Sequence, residues 1–142
     1  MEIQELHRGR LIDHIQLVVK DLPASQRFYQ AVFDTLGIPM SGTGDDFFYA
    51  DELFVSTTDS QAAQGEPTGR HHLAFQARDR AMVDAFHQVA LANGGRDNGA
   101  PGLRPYHPDY YGAFVLDPDG NNIEAVYHGP SQRSAPSVKV TF

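Results

Sequence analysis

Hydrophobic positions along the chain fall into two runs of the same design. The first opens at residues 11–19, whose length and β-branched content read as a strand. A period of two puts Ile12, His14, Gln16 and Val18 on one face and Ile15, Leu17 and Val19 on the other. Asp21-Leu22-Pro23 then signals a helix start, with Pro tolerated in the first turn. Ala24, Phe28, Val32 and Leu36 recur at helical spacing, and Gly37 closes the helix. Residues 47–50 and 53–57 read as two further strands, separated by the acidic pair Asp51-Glu52.

After a Gln-, Gly- and Pro-containing linker at 59–68 the pattern starts again. A spacing of 58 residues carries His14 to His72, Asp21 to Asp79, Phe28 to Phe86, Gln30 to Gln88 and Gly37 to Gly95, with no gap through strand and helix. Identities in register at the strand start, helix cap, helix face and helix stop mark an internal repeat. The second copy carries a long loop over 96–111, rich in Gly, Pro and aromatics, of the kind that shapes a binding site. Residues 111–116 and 122–127 make a hairpin across Asp117-Pro118-Asp119-Gly120, a type I turn with a glycine free to take positive φ. The expected plan is α+β: two βαβββ modules, at 10–58 and 69–128, forming a curved sheet around a cavity with helices outside. Residues 1–10 read as a loose lead-in or edge segment, and 129–142 as a tail whose residues 138–142 add a short edge strand.

Composition bounds the chemistry. The chain of 142 residues, 41% apolar and 11% aromatic, is enough for one compact domain with a core. A formal charge of −7 and no basic run argue against nucleic-acid binding. Without cysteine there is no disulfide, thiolate ligand or thiol nucleophile. No N-terminal apolar region and no stretch of membrane-spanning length is found, so the expectation is a cytoplasmic protein.

Glu124 sits among Ile123, Ala125 and Val126, where an ionised side chain is costly without a partner. Because 58 is even, His72 faces as His14 does. Asn122 shares the face of Glu124, and the hairpin register sets Phe114 opposite Glu124 with Gly112 one step beyond. His14, His72 and Glu124 are therefore the candidate ligands of one divalent ion, with Gln16, Phe54, Phe114 and Asn122 lining the pocket. Two imidazoles and a carboxylate suit Fe, Mn, Zn, Ni or Co alike. Tyr111 or its neighbour Tyr110, with Arg104 and His107 from the long loop, are candidates for orienting substrate or moving protons. His7, His71, His87 and His128 read as edge or solvent residues.

The runs Ile12-Asp13-His14-Ile15, Asp21-Leu22-Pro23-Ala24-Ser25-Gln26-Arg27-Phe28-Tyr29 and Phe114-Val115-Leu116-Asp117-Pro118-Asp119-Gly120-Asn121-Asn122-Ile123-Glu124 together resemble the vicinal oxygen chelate superfamily. That group includes glyoxalase I, fosfomycin-resistance enzymes, extradiol dioxygenases, methylmalonyl-CoA epimerase and bleomycin-resistance proteins. The resemblance, over roughly residues 10–128, implies paired modules, metal-ligand positions at His14, His72 and Glu124, and a homodimer whose site borrows strands from both chains. Glyoxalase I carries a second carboxylate in its first module; here the matching place falls on Phe54 or Ser56. The ligand set thus resembles that of the fosfomycin transferases and dioxygenases.

Three functions compete. The first is a metal-dependent lyase, isomerase or dioxygenase that chelates vicinal oxygens of a small substrate. The alternative is a bleomycin-resistance-like protein that binds a planar cationic drug on its aromatics without catalysis. The last is a structural dimer with a vestigial triad.

Overall fold

The computed structural model describes residues 5–67 and 69–142; residues 1–4 of the lead-in and residue 68 of the linker lie outside the described residues. The repeat is realised as two sheets of identical plan. In the first, β2 (Ile15–Val18), α1 (Leu22–Leu36), β3 (Gly42–Thr43), β4 (Phe47–Ala50) and β5 (Leu53–Ser56) give the strand order β2-β5-β4-β3. In the second, β6 (His72–Gln76), α2 (Arg80–Ala92), β7 (Arg96–Leu103), β8 (Tyr111–Leu116) and β9 (Asn122–Tyr127) give β6-β9-β8-β7. In both, the first strand pairs in parallel with the last. Outside the modules, β1 (Glu5–Arg8) and β10 (Val138–Thr141) form an antiparallel ribbon, so the lead-in is an edge strand.

Each helix starts on an aspartate. Asp21 accepts from the backbone N–H of Ala24 at 3.1 Å, and Asp79 from that of Met82 at 2.8 Å, satisfying donors that the first turn leaves open. The helices end differently despite their matched glycines. Gly37 takes the left-handed cap at φ 72°, whereas in the second module Gly94 holds positive φ at 97°. Gly95 is instead a packing glycine: a Cβ there would stand 2.5 Å from Val115 and 2.7 Å from the Ala90 carbonyl.

Both helices bury an apolar stripe against the sheets. Phe28, Val32 and Phe33 of α1 and Val83, Phe86 and Ala90 of α2 meet Leu17, Phe48 and Val55 of the first sheet and Val115, Ile123 and Ala125 of the second. The opposite faces carry Gln16, Phe54 and Tyr49 in one sheet and His72, Phe114 and Glu124 in the other. These faces, turned away from the helices, carry the candidate site residues.

Two expectations change. The strand foreseen at 11–19 is confined to β2, so His14 lies just ahead of its first residue. Residues 96–103, read as part of a loop, form β7, an edge strand with register shifts at Gly99 and Gly102. Bulges of this kind let a Gly- and Pro-bearing segment pair despite lacking alternation.

The hairpin turn is anchored by Asp117, which is buried. Its Oδ2 accepts from the Tyr29 hydroxyl at 2.5 Å and the Asn121 amide at 3.0 Å, and its Oδ1 from the backbone N–H groups of Asp119 and Asn121. Four donors compensate the removal of this carboxylate from water and tie the turn to α1. Burial first, and the Asp117 charge second, push the Tyr29 hydroxyl well above its ordinary range.

Candidate metal centre

His72 opens β6 and Glu124 lies two residues into β9. The parallel register sets His72 beside Asn122 and Ala74 beside Glu124, which brings imidazole and carboxylate together. His72 Nε2 stands 3.1 Å from Glu124 Oε1, and His72 Nδ1 is 2.9 Å from the Asn122 carbonyl oxygen. Glu124 is 2% exposed. Its Oε2 accepts a hydrogen bond from the Tyr110 hydroxyl, and Gly112 on the adjoining strand leaves room for that oxygen, since a Cβ there would lie 3.0 Å from it. Burial, then the bond to Glu124, pushes the Tyr110 hydroxyl far above its usual value, so it is held as a donor.

The donor chemistry of this pair fits a cation. Both nitrogens of His72 face oxygens that only accept, while a neutral imidazole carries one N–H. If Nδ1–H bonds Asn122, as metal-binding imidazoles commonly bond a carbonyl, Nε2 presents a lone pair to a carboxylate. A positive species between them resolves the clash. For metal–ligand bonds of about 2.1 Å, two neighbouring donors stand about 3.0–3.4 Å apart; the observed 3.1 Å falls in that range and equally in that of an N–H···O hydrogen bond.

The third expected ligand lies elsewhere in the chain. Among the described residues, no group of three His, Asp or Glu side chains converges to hold an ion. His14 belongs to the first module, just ahead of β2, with its side chain 64% exposed and its Nδ1 2.7 Å from Asp13 Oδ1. That bond, the main reason the Asp13 carboxyl is lowered, orients the ring and leaves Nε2 for a ligand.

The remaining candidates divide by face. Phe114 pairs with Glu124 as the register foresaw, and its ring lies 6.0 Å from that of His72. Arg104 places its guanidinium 5.2 Å above the Phe114 ring, held by the Ala100 carbonyl at 2.7 Å. Asn122 accepts through its side chain from Asn98 at 3.1 Å. Gln16 and Phe54 belong to the first sheet, where Gln16 donates to Ser56 and Ser60.

Two further candidates, Tyr111 and His107, are placed away from the His72–Glu124 pair. Tyr111 points to the helix side, bonding Asp84 at 2.6 Å beneath Arg80, so the tyrosine at the carboxylate is Tyr110. His107 does not reach Glu124; its Nε2 lies 2.8 Å from His128 Nδ1, and its ring packs on the edge of Tyr110 at 5.2 Å. His128 is exposed, as expected, and its ring lies 5.5 Å from that of Tyr110, edge to face. Strand parity carried the signal: Tyr110 shares its parity with Gly112 and Phe114, and Tyr111 does not.

The registers also settle which residue stands where Glu124 stands in the repeat. Gln16 pairs with Phe54 as Ala74 pairs with Glu124, and Tyr49 pairs with Phe54 as Phe114 pairs with Glu124. Phe54 is therefore the counterpart of Glu124, and no second carboxylate occupies that slot.

Comparison with known proteins agrees with this architecture. The family model described as Glyoxalase/Bleomycin resistance protein/Dioxygenase superfamily matches residues 11–125. A crystal structure of a glyoxalase/bleomycin resistance protein from Albidiferax ferrireducens is 33% identical, with 82% of this chain and 97% of that one covered at a TM-score of 0.64. A glyoxalase-related enzyme from Fulvimarina pelagi shares the fold at a TM-score of 0.70 over 92% of this chain and 97% of that one, with 20% identity. An uncharacterized Bacillus subtilis protein, YqjT, is 29% identical over 80% of this chain and 95% of its own length.

Proposed function

Because the chain belongs to the Glyoxalase/Bleomycin resistance protein/Dioxygenase superfamily, we propose that it is a divalent-metal-dependent enzyme of the glyoxalase or dioxygenase type that holds a small substrate through two vicinal oxygens. The observation that supports this reading is the meeting of His72 Nε2 and buried Glu124 Oε1, two electron-pair donors at ligand spacing. Fe, Mn, Zn, Ni and Co all accept such an N/O set. The third ligand in this reading is His14 of the partner subunit. In its favour, Leu11 and Ile12 beside His14 are 81% and 43% exposed, an apolar surface that a second copy would cover. The dimer so formed would face the first sheet of one chain with the second sheet of the other.

A bound ion would supply Lewis acidity toward the substrate oxygens. The chain's own groups do the rest. Tyr110 occupies Glu124 Oε2, so that Oε1 alone is turned toward His72. Arg104, seated on Phe114, offers positive charge on the same face for an anionic oxygen of the substrate. Drug capture without chemistry, the competing reading, gives no reason for the His72–Glu124 convergence.

The test is metal content combined with subunit mixing. Protein purified without added metal should hold close to a full equivalent of a divalent ion, and His14→Ala and His72→Ala should each lose it. A heterodimer of the two variants, isolated with two tags, should regain a single ion, because one of its two sites then keeps all three ligands. Full metal retention by both variants, or no recovery on mixing, refutes the reading.

A further inference from the structure

The two histidines related by the repeat are held in different ways. His72 lies within β6, and its Nδ1 is held at 2.9 Å by the carbonyl of Asn122 on the paired strand. His14 precedes the first residue of β2, and its Nδ1 turns instead to the carboxylate of its neighbour Asp13 at 2.7 Å. The Asp13 side chain is 72% exposed, so something must keep it on the ring rather than in water.

Arg8 does this. As the last residue of β1 it pairs with Val138 of β10, and so belongs to the ribbon formed by the two ends of the chain. Its side chain crosses to the first module. Nη1 donates to the Asp51 carbonyl at 2.6 Å, and Nε lies 3.4 Å from Asp13 Oδ1, the same oxygen that meets His14. Asp51 offers that carbonyl from the turn between β4 and β5, at a left-handed φ of 45°, so one end of the guanidinium is moored on the first sheet. Only 16% of the Arg8 side chain is exposed, and its Nε is buried with no hydrogen-bond partner. An ion pair between two exposed groups contributes little. Here one partner is buried, and if Asp13 left, that N–H would keep neither water nor a counter-charge.

We propose that Arg8 is a positioning residue of the metal centre: it holds the Asp13 carboxylate, which holds the His14 ring with Nε2 free for an ion, so that the terminal ribbon takes part in the site. The inference rests on the reading of His14 as a metal ligand, and adds a residue outside the 11–125 span that matches the family model. With Nδ1–H donated to a fixed carboxylate, Nε2 keeps its lone pair and the ring keeps one direction. Without Arg8, Asp13 can turn into water, and the ring is free to carry its proton on Nε2, the atom an ion needs bare.

The test begins on the full-length, metal-free protein. Two-bond proton–nitrogen NMR at pH 8 reports which nitrogen of each imidazole is protonated, with His14 assigned by its loss in His14→Gln. The wild type should show His14 protonated at Nδ1. Arg8→Gln, whose amide can still donate to the Asp51 carbonyl but brings no charge to Asp13, should shift His14 toward the Nε2–H form, as should Asp13→Ala; melting curves establish that each variant is folded. Zn(II) affinity, by competition with a chromophoric chelator, should fall about tenfold in Arg8→Gln, the low end for a group that acts through a ligand's partner. In an Asp13→Ala background the same substitution should add no further loss, whereas a merely structural role would lower affinity equally in both. A shifted tautomer in a protein whose wild type binds no Zn(II) upholds the Arg8–Asp13–His14 linkage and refutes the metal reading. An unchanged tautomer in folded Arg8→Gln, or an equal loss of affinity in both backgrounds, overturns the proposal.

Discussion

Adjacent tyrosines offer the sharpest comparison in the molecule. Tyr110→Phe removes one hydroxyl, the donor to Glu124 Oε2, and leaves ring and strand in place. A hydrogen bond to an ionised group is among the stronger kinds, but Glu124 keeps His72 and Tyr110 is only partly buried, so the expected loss of stability is about 1–2 kcal/mol. Metal affinity should fall by about tenfold, because a freed Oε2 lets the carboxylate rotate away from the bonding direction. Tyr111→Phe removes an equally formed bond, to Asp84, but on the exposed helix side. It should cost under about 0.5 kcal/mol and leave the ion untouched. Urea unfolding of the metal-free protein and Zn(II) competition against a chromophoric chelator measure the two quantities. Equal effects of the two substitutions on affinity, or no effect of Tyr110→Phe on either quantity, would refute the assignment of Tyr110 to the site.

Other expectations follow from the same geometry. Gly112→Ala should weaken Zn(II) binding in that competition assay more than it lowers the melting temperature, because its Cβ would press on Glu124 Oε2 at 3.0 Å and on the Tyr110 ring at 3.3 Å. Gly95→Ala should be strongly destabilising, by more than about 2 kcal/mol in urea unfolding, since Val115, Ala90 and Phe28 all stand under 3 Å from the added carbon. Alkaline pH gives a signed test. Tyr29 and Tyr110 are both raised, chiefly by burial, while tyrosine in the unfolded chain ionises near pH 10 or so. Their contribution is complete below about pH 10 and is lost as pH rises beyond it, because the unfolded chain then releases protons that the fold retains. The urea midpoint should drop between pH 8 and pH 11, and the drop should be smaller in Tyr29→Phe; an identical drop in that variant would overturn the argument.

The duplicated plan was legible because its signals are local: an aspartate cap, a helical stripe and a strand-opening histidine recur at one spacing. The hairpin register was equally legible, since a short turn and a period of two place Phe114 against Glu124 with little freedom. Strand β7 was not, because Arg96–Leu103 has no apolar alternation and is held at an edge through bulges. The His72–Glu124 pair could be read from parity alone. The distance between His14 and that pair could not, because it depends on how two sheets pack, which no single strand encodes. The choice of Tyr110 over Tyr111 was available in the alternation but needed the start of β8 to be fixed first.

The parallel seam between β6 and β9 has a consequence for how the protein is assembled. His72 and Glu124 are 52 residues apart in the chain, with α2, β7 and β8 strung between them. A contact of such long span forms late, after the intervening elements have taken shape, and parallel pairing is slow to nucleate. An ion gripped by both residues would therefore act as a clasp on a finished half-molecule. It would retard opening more than it hastens closing, so occupancy should be felt chiefly as a longer lifetime of the folded state.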